Sequence, residues 1–292
     1  MTITYPLIVN ALVAGLLMGG FYAALSVGAT VAFGLLDIVN IAHPTFAVIG
    51  AYGVLLLNRA FNIDPIVCGL LLTPVFYAAG ALLYQVYHYF FEKRGDDAMR
   101  GLAFFFGLMF IAEVALIMGF GVDFRYVHAP YITTTWNFGD IAVPLRLAVP
   151  FVGAVVMLIV LELFLKKTFI GRAIIAVAQD PFALRLVAVS PIRIKRIAFG
   201  IACASAALAG AFIIIIQPLQ PDVGREFIGR VFAICVFGGL GSLPGTVVAA
   251  VSLGLVENLA TIFIGASWSP AVAFGVLLAT LAWRPSGLFG RS

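Results

Sequence analysis

The sequence predicts an all-α fold, a polytopic bundle of about eight or nine membrane-spanning helices in which one or more helices are broken. Three observations indicate this class: 63% of the 292 residues are hydrophobic, only 10% are charged, and long apolar runs recur along the chain. A soluble domain carries about 25% charged residues, so this chain lacks the polar surface that a water-facing globule needs. Membrane topology explains the small net charge of +4, and no nucleic acid is expected as a partner.

Runs of about 20 apolar residues, enough to cross the roughly 30 Å of hydrocarbon in a bilayer, define the candidate spans in chain order. Five runs are clear, at residues 7–36, 66–91, 101–122, 147–165 and 197–217. Three further runs follow, at residues 227–243, 246–265 and 270–283. At least two of those three are expected to cross. Residues 45–57 are too few for an upright crossing, so they predict either a tilted short span or half of a broken helix.

The distribution of Lys and Arg predicts which loops face the cytoplasm, because basic residues in short loops stay on that side. Twelve of the 17 Lys and Arg residues fall in three regions, at residues 93–100, 166–196 and 284–291. These regions are predicted to be cytoplasmic, and the loops at residues 58–65, 123–144 and 218–226 to lie outside. Nine spans place the N-terminus outside and the C-terminus inside, whereas eight place both on one side. Within the second outer loop, residues 133–140 indicate a turn or short hairpin.

A polar interruption at residues 37–44 separates the first apolar run from the next. Pro44 lacks an N–H and disfavours helix at the preceding residue, so the backbone is expected to open here. Asn40 and His43 then lie where polar atoms can satisfy the open backbone or contact a solute, as in transporters with broken helices. They are therefore candidates for a translocation pathway. The alternative is a plain loop at the membrane surface, which the span count favours for Asp37.

Three acidic residues, Glu113, Glu162 and Glu257, lie inside apolar runs. A charge at mid-bilayer costs roughly 2.5 to 3.5 kcal/mol on insertion scales, so such residues usually face the bundle interior. Glu162 precedes Lys166 by four residues, which predicts an ion pair on one helix face. Glu113 has no basic residue close in sequence and is expected to be neutral or deep in the bundle. Glu257, next to Asn258, is predicted to contact the pathway or another helix.

The basic segment at residues 166–196 contains a predicted short helix. Asp180 is placed as its N-cap and Pro181 at its first position, and residues 182–189 supply about two turns. This helix is apolar on nearly every face, with Arg185 as its only charge, so water would contact hydrophobic side chains. The composition favours docking into a groove of a partner protein. A helix lying on the bilayer surface stays the alternative.

The sequence offers no catalytic or metal site. The histidines His43, His88 and His128 have no metal-ligand spacing and suggest no Ser/His/Asp arrangement, so a membrane-embedded enzyme is disfavoured. The three cysteines lie apart in apolar runs and are expected to be packing residues. The Gly-rich phosphate loop that binds nucleotides does not occur in the sequence, so an ATPase would be a separate chain.

Several motifs match a known family. They occur at residues 19–25, 38–43, 50–52, 168–181, 204–210, 238–242, 254–257 and 284–290. Together they resemble the permease subunits of the bacterial ABC importers for branched-chain amino acids, the LivH and LivM type, over nearly all of the chain. The sequence departs from the family pattern at Pro44, where Gly is usual, and at Phe182, where Glu is usual. The first departure leaves other small organic solutes open as substrates.

The resemblance implies a single transmembrane permease domain over residues 1–292 in the bacterial inner membrane. Besides membrane lipid, the implied partners are two ATP-binding cassette ATPases, a second permease subunit, related or identical, and a periplasmic solute-binding protein. The ATPases would use ATP and Mg, and this chain would bind no cofactor itself. Residues 179–191 match the family's coupling segment. The implied coupling residues are Asp180, Pro181, Phe182, Leu184, Arg185 and Leu186.

The function that this resemblance implies is that of a non-catalytic subunit forming the path for a small organic solute, with branched-chain or related amino acids favoured. ATP-driven closure of the ATPases would move the coupling helix and open or shut the path by alternating access. The alternative class is a stand-alone channel or secondary transporter for a small polar solute. Uptake by this chain alone, insensitive to ATP depletion, would distinguish that alternative.

Overall fold

The computed structural model describes residues 4–94, 97–186, 188–284 and 287–290. This part of the chain is almost entirely helical. The helices are α1 (Tyr5–Ala29), α2 (His43–Phe61), α3 (Pro65–Phe90), α4 (Asp97–Phe120), α5 (Leu145–Lys167), α6 (Phe169–Val177), α7 (Pro181–Leu186), α8 (Pro191–Ile216), α9 (Val223–Gly238), α10 (Leu243–Ile264) and α11 (Ser269–Trp283). The strands β1 (Thr135–Phe138) and β2 (Ile141–Pro144) pair antiparallel, which confirms the predicted hairpin.

Eight helical stretches of the described chain are long and apolar enough to cross a membrane. They comprise α1 with its extension to Leu35, α2, α3, most of α4, α5, α8, α10, and α11 with the turn before it. The predicted bundle of membrane helices is thereby confirmed. α9 has only 16 residues and falls outside this set, so its role in the topology rests on where its two ends lie.

One end of the bundle carries the β1–β2 hairpin and is called the hairpin face below. The Asn10 side chain, near the start of α1, bonds the backbone of Asp140 and Ala142 at 3.0 and 2.7 Å. The loop before α9 joins the same face, because Leu219 and Arg125 exchange two backbone hydrogen bonds of 2.9 Å. α1 and α9 therefore both begin at the hairpin face.

The opposite end holds the loops that carry Lys93, Arg185 and Arg284, and is called the basic face. α9 ends there, since the carbonyl of Phe237 accepts a 2.8 Å hydrogen bond from the Leu288 amide of the C-terminal segment. α9 thus runs from the hairpin face to the basic face despite its length. With α9 included, the described part of the chain passes through the bundle nine times, so α1 begins on one face and α11 ends on the opposite one.

The first span is interrupted where the sequence predicted an opening. α1 continues as a π-helix at Thr30–Leu35, and an irregular segment then leads to α2. Asp37 adopts the left-handed conformation with φ of 57° at this turn. The expectation of a short span at residues 45–57 is wrong, because α2 has 19 residues. It continues past Asn58, which is buried and bonds the carbonyl of Ile63 at 2.8 Å, and it ends at a left-handed Asn62.

Helices at the centre of the bundle approach each other through glycines. A methyl group on Gly19 of α1 would lie 2.6 Å from the Val251 Cα of α10. One on Gly210 of α8 would lie 2.6 Å from the Ala51 amide nitrogen of α2. Small residues permit this close packing, which drives helix association in lipid. α8 is the most enclosed helix, whereas α3, α5 and α11 expose many apolar side chains, as expected of lipid-facing surfaces.

Candidate functional site

The short helix predicted between the basic-face spans is α7. Asp180 caps it as expected, because its Oδ1 accepts hydrogen bonds from the Phe182 and Ala183 amides at 2.8 and 3.1 Å. The predicted extent of residues 182–189 is wrong: the helix ends at Leu186 after six residues. Ala188 beyond it has a left-handed φ of 58°, which stops the helix. Val187 lies outside the described residues.

α7 presents large apolar side chains outward. Phe182 and Leu186 are 66% and 74% exposed, whereas Leu184 is 8% exposed and anchors the helix. Leu184 lines an apolar cavity of about 390 Å³ between α6 and α7, together with Phe169 and Val189. One side of α7 is therefore fixed to the protein, and the other leaves hydrophobic surface uncovered. Uncovered apolar patches rimmed by polar residues mark interaction sites.

A polar cluster that the sequence analysis missed joins α3 to α8 beside α7. The carboxylate of Glu92 accepts hydrogen bonds from Tyr84 Oη at 2.7 Å and Lys195 Nζ at 2.6 Å, and it lies 2.7 Å from His88 Nδ1. Burial alone would raise the pKa of Glu92, but the bonds from Lys195, Tyr84 and His88 outweigh it and hold that pKa below its ordinary value. The spacing of His88 and Glu92 by four residues was the one sequence signal for this cluster.

Asn40 and His43 lie inside the bundle, at the break before and at the start of α2. His43 is fully buried, with Nε2 3.2 Å from the carbonyl oxygen of Leu25 on α1. Asn40 is 4% exposed, and neither polar atom of its side chain has a partner among the described residues. Asn40 lines a cavity of about 10 Å³ beside Phe232 and Cys235 of α9. The space suits about one water-sized group.

Glu257 occupies a different place, at the junction of three helices. It is 3% exposed, and it accepts hydrogen bonds from Tyr22 Oη of α1 at 2.7 Å and from Arg230 Nε of α9 at 3.0 Å. The Arg230 side chain is itself 13% exposed and lies over the ring of Phe227 at 5.7 Å. A buried carboxylate in a membrane bundle is stable only when paired in this way. The predicted inter-helix contact of Glu257 is thus observed.

The two other acids found inside apolar runs are also paired. Glu162 and Lys166 form the predicted ion pair, with the atoms 2.5 Å apart. Glu113 of α4 is buried, in agreement with the alternative that it lies deep in the bundle, and Arg225 Nε of α9 lies 2.7 Å from its carboxylate, a partner that the sequence did not indicate. Sequence distance hid the partner, because the two residues are 112 positions apart.

The three pathway candidates are not gathered into one site. Asn40 and His43 are neighbours, with the His43 amide 3.3 Å from the Asn40 carbonyl oxygen. His43 contacts α1 at Leu25, whereas Glu257 contacts it one turn earlier at Tyr22. His43 and Glu257 therefore touch adjacent turns of α1 through separate groups. Among the described residues no three His, Cys, Asp or Glu side chains form a group that could hold a metal.

The nine-pass bundle, the ion pairs buried between its helices and the short exposed helix α7 outside it are those of a multi-pass membrane protein with the architecture of a transporter subunit. Residues 11–281 match the model of one family, described as the branched-chain amino acid transport system permease component. The chain belongs to this family of non-catalytic permease components.

Similar proteins carry the same description. The chain is 24% identical to the high-affinity branched-chain amino acid transport permease LivH of Escherichia coli strain K12, over 95% of this chain and 94% of that protein. It is 26% identical to BraD of Pseudomonas aeruginosa, over 96% and 95%. It is 30% identical to LivM of Salmonella typhimurium, over 91% of this chain and 67% of that protein. No solved structure matches the chain.

Proposed function

We propose that this permease subunit works in a bacterial ABC importer and carries branched-chain or related amino acids across the inner membrane. The family match and the names of LivH, BraD and LivM support the substrate class. The observation that supports coupling to an ATPase is the outward side of α7. Phe182 and Leu186 are exposed there, on the basic face and outside the membrane-spanning helices. A groove on a partner would cover them.

The coupling residues of the proposal are those implied by the family. They are Asp180, Pro181, Phe182, Leu184, Arg185 and Leu186. ATP-driven closure of two ATPases would displace α7, and α7 leads within five residues into α8, the most enclosed helix of the bundle. Because α8 packs against α2 and α3 through small residues, a shift of α8 moves several spans together.

The orientation of the subunit follows from its basic face. That face carries most of the Lys and Arg residues, so we assign it to the cytoplasm and the hairpin face to the periplasm. The hairpin and the loops around it would then receive a periplasmic solute-binding protein. A second permease subunit, either a LivM-like chain or an identical copy, would complete the pathway. Similarity to both LivH and LivM supports either arrangement.

For the pathway we propose the segment that contains Asn40 and His43. Interrupted helices supply backbone and side-chain polar groups inside a membrane, which regular helices do not. Asn40 supports the assignment. A buried amide without a hydrogen-bond partner lowers the stability of the protein, so its presence here is explained if the amide contacts the solute. Glu257 would contribute indirectly, by holding α1, α9 and α10 in register through Tyr22 and Arg230.

Reconstitution tests the proposal. The chain is placed in liposomes with the ATPase, the second permease and the binding protein encoded beside it, and solute-stimulated ATP hydrolysis is measured. Phe182→Asp is expected to abolish the stimulation while leaving insertion unchanged. Phe289→Asp, at an exposed aromatic on the same face but outside α7, is the control for the added charge. Unchanged stimulation in Phe182→Asp, or uptake by this chain alone without ATP, would contradict the proposal.

A further inference from the structure

A charged cavity lies on the basic face, between the end of α3, the start of α8 and α7. Its volume is about 440 Å³, large enough for a group of several atoms. Its lining includes His88, Glu92, Lys93, Arg185, Ile192 and Lys195. Pro181 and Arg185 of α7 line this cavity, which has no lining residue in common with the apolar cavity that Leu184 lines. It is a separate feature from the exposed face of Phe182 and Leu186.

The charge of this cavity is unbalanced. The lining holds three cations, Lys93, Arg185 and Lys195, and one carboxylate, Glu92, so the Lys, Arg and Glu charges sum to two positive. Glu92 is already occupied by Tyr84, His88 and Lys195, so it offers little to the remaining cations. Lys93 and Arg185 are exposed, and neither forms an ion pair with any described residue. The excess positive charge of the cavity therefore favours binding of an anion.

The cavity also lies at the edge of the membrane. α3 ends at Phe90 and α8 begins at Pro191, so the spans that form two of its walls emerge from the bilayer here. Apolar side chains at this level are open: Tyr89 is 65% exposed and Ile192, which lines the cavity, is 43% exposed. At the end of α3, Lys93 lies farther out of the bundle than Tyr89. This order matches a phospholipid, whose charged headgroup lies outside its acyl chains.

We propose that this cavity binds the phosphate headgroup of an anionic phospholipid. Basic pockets between membrane helices on the cytoplasmic side are suited to such headgroups. Lys and Arg donate charge-assisted hydrogen bonds to phosphate oxygens, and these are stronger than neutral ones. The acyl chains would lie against Tyr89, which is on the bundle side of Lys93. An acidic loop of a soluble partner would satisfy the charges but would gain nothing from this exposed aromatic side chain.

A bound headgroup would add a link between α7 and the ends of α3 and α8, which the Glu92–Lys195 ion pair already joins to each other. Arg185 is on α7, Lys93 follows α3 and Lys195 is on α8. A phosphate contacting all three would restrain α7 against the ends of two spans. The lipid would thus set the resting position of the short helix. The inference rests on the membrane location of the chain and not on its coupling to an ATPase.

Native mass spectrometry of the purified full-length chain tests the proposal, with phosphatidylglycerol and phosphatidylcholine titrated in parallel. Phosphatidylglycerol is expected to bind at least about tenfold more tightly, because each Lys or Arg near an anionic headgroup contributes about 1 kcal/mol. The double variant Lys93→Gln, Arg185→Gln should lose this preference. The control Lys167→Gln, Arg193→Gln removes the same charge from exposed sites on the same face and should keep it.

Three results would overturn the proposal. Equal loss of preference in both double variants would show a diffuse electrostatic effect in place of a site. Competition by millimolar inorganic phosphate, with affinity equal to that of the lipid, would assign the cavity to a free anion. Unchanged lipid preference in the cavity variant, together with weakened binding of the ATPase, would assign it to an acidic protein surface. Thermal unfolding of every variant checks that the fold is retained.

Discussion

Arg230 of α9 and Glu257 of α10 form an ion pair of 3.0 Å at the centre of the membrane bundle. Both side chains are largely removed from solvent, at 13% and 3% exposure. Tyr22 Oη donates a further hydrogen bond to the same carboxylate at 2.7 Å. The ion pair joins α9, a span of 16 residues, to α10, and the Tyr22 hydrogen bond adds α1 to the same junction. It therefore compensates for the small apolar surface that a 16-residue helix can offer its neighbours.

Breaking this pair on one side should destabilise the protein strongly. Glu257→Gln leaves the Arg230 guanidinium buried without its counter-charge, which costs about 3–5 kcal/mol. The midpoint of thermal or chemical unfolding in detergent measures the loss. Adding Arg230→Gln to Glu257→Gln should cost less than the sum of the single variants. Glu162→Gln is the control, because its exposed pair with Lys166 is worth about 0.3–0.5 kcal/mol. Additive losses would show that the two residues do not interact.

Close contact between α8 and α2 makes Gly210 intolerant of a side chain. A methyl group there would meet the Ala51 amide nitrogen at 2.6 Å, and backbone atoms cannot rotate away. Gly210→Ala should therefore lose about 1–3 kcal/mol of unfolding free energy. Gly107→Ala is the matched control, since no atom lies within 4 Å of the added methyl and α4 gains helix propensity. Equal stability of the two variants would contradict the packing described here.

The sequence predicted features that depend on local patterns. The span lengths, the break before His43, the Asp180 cap and the Glu162 pair each involve residues within a few positions of one another. The partners of Glu113 and Glu257 could not be predicted this way. Their arginines stand 112 and 27 residues away, and only the packing of the helices brings them within 3.0 Å.

The errors in predicted length have one physical origin. Helix ends in α2 and α7 are set by left-handed residues, Asn62 and Ala188, and by side-chain contacts that composition does not reveal. α2 extends past the apolar run because the buried Asn58 bonds the Ile63 carbonyl. α7 stops early at a residue type that rarely adopts a positive φ. Left-handed residues at the helix ends thus overrode the apolar pattern in both places.

Asn40 offers a way to separate a pathway role from a structural one. Neither polar atom of its side chain has a partner in the described structure, so Asn40→Leu removes no hydrogen bond and should leave the unfolding midpoint unchanged or raised. If the amide contacts the solute, uptake by the reconstituted importer should fall at least about fivefold, the value of one hydrogen bond of about 1 kcal/mol. Retained uptake in a stable variant would remove Asn40 from the pathway.

The Glu92 cluster makes stability depend on pH in a defined direction. Because the folded-state pKa of Glu92 is lowered, its contribution is fully present above the ordinary carboxyl value of about 4.3 and is lost as pH falls through the lowered value. Glu92→Gln should cost about 1.5–3 kcal/mol at pH 7, the range for hydrogen bonds to a charged group. Unfolding measured from pH 7 to pH 3 should show the two proteins converging in acid. A constant difference would contradict this assignment.

The nine-pass topology places Thr134 and Arg193 on opposite faces of the membrane, which cysteine labelling can test. Both residues are exposed, Thr134 next to the hairpin and Arg193 in the first turn of α8. The native cysteines are all buried, so a membrane-impermeant maleimide should react only with an introduced thiol. In intact cells with a permeable outer membrane, Thr134→Cys is expected to label at once. Arg193→Cys should label only after the inner membrane is opened.

Labelling of both variants from the same side would refute the crossing by α5, because α5 is the span that separates the two residues along the chain. Reversed labelling would keep the nine passes but overturn the assignment of the basic face to the cytoplasm. α9 is the one crossing outside the eight long apolar stretches, and whether it crosses determines which side the C-terminal segment occupies. A cysteine at Phe289, which is 52% exposed, should therefore label under the same conditions as Arg193→Cys and not as Thr134→Cys.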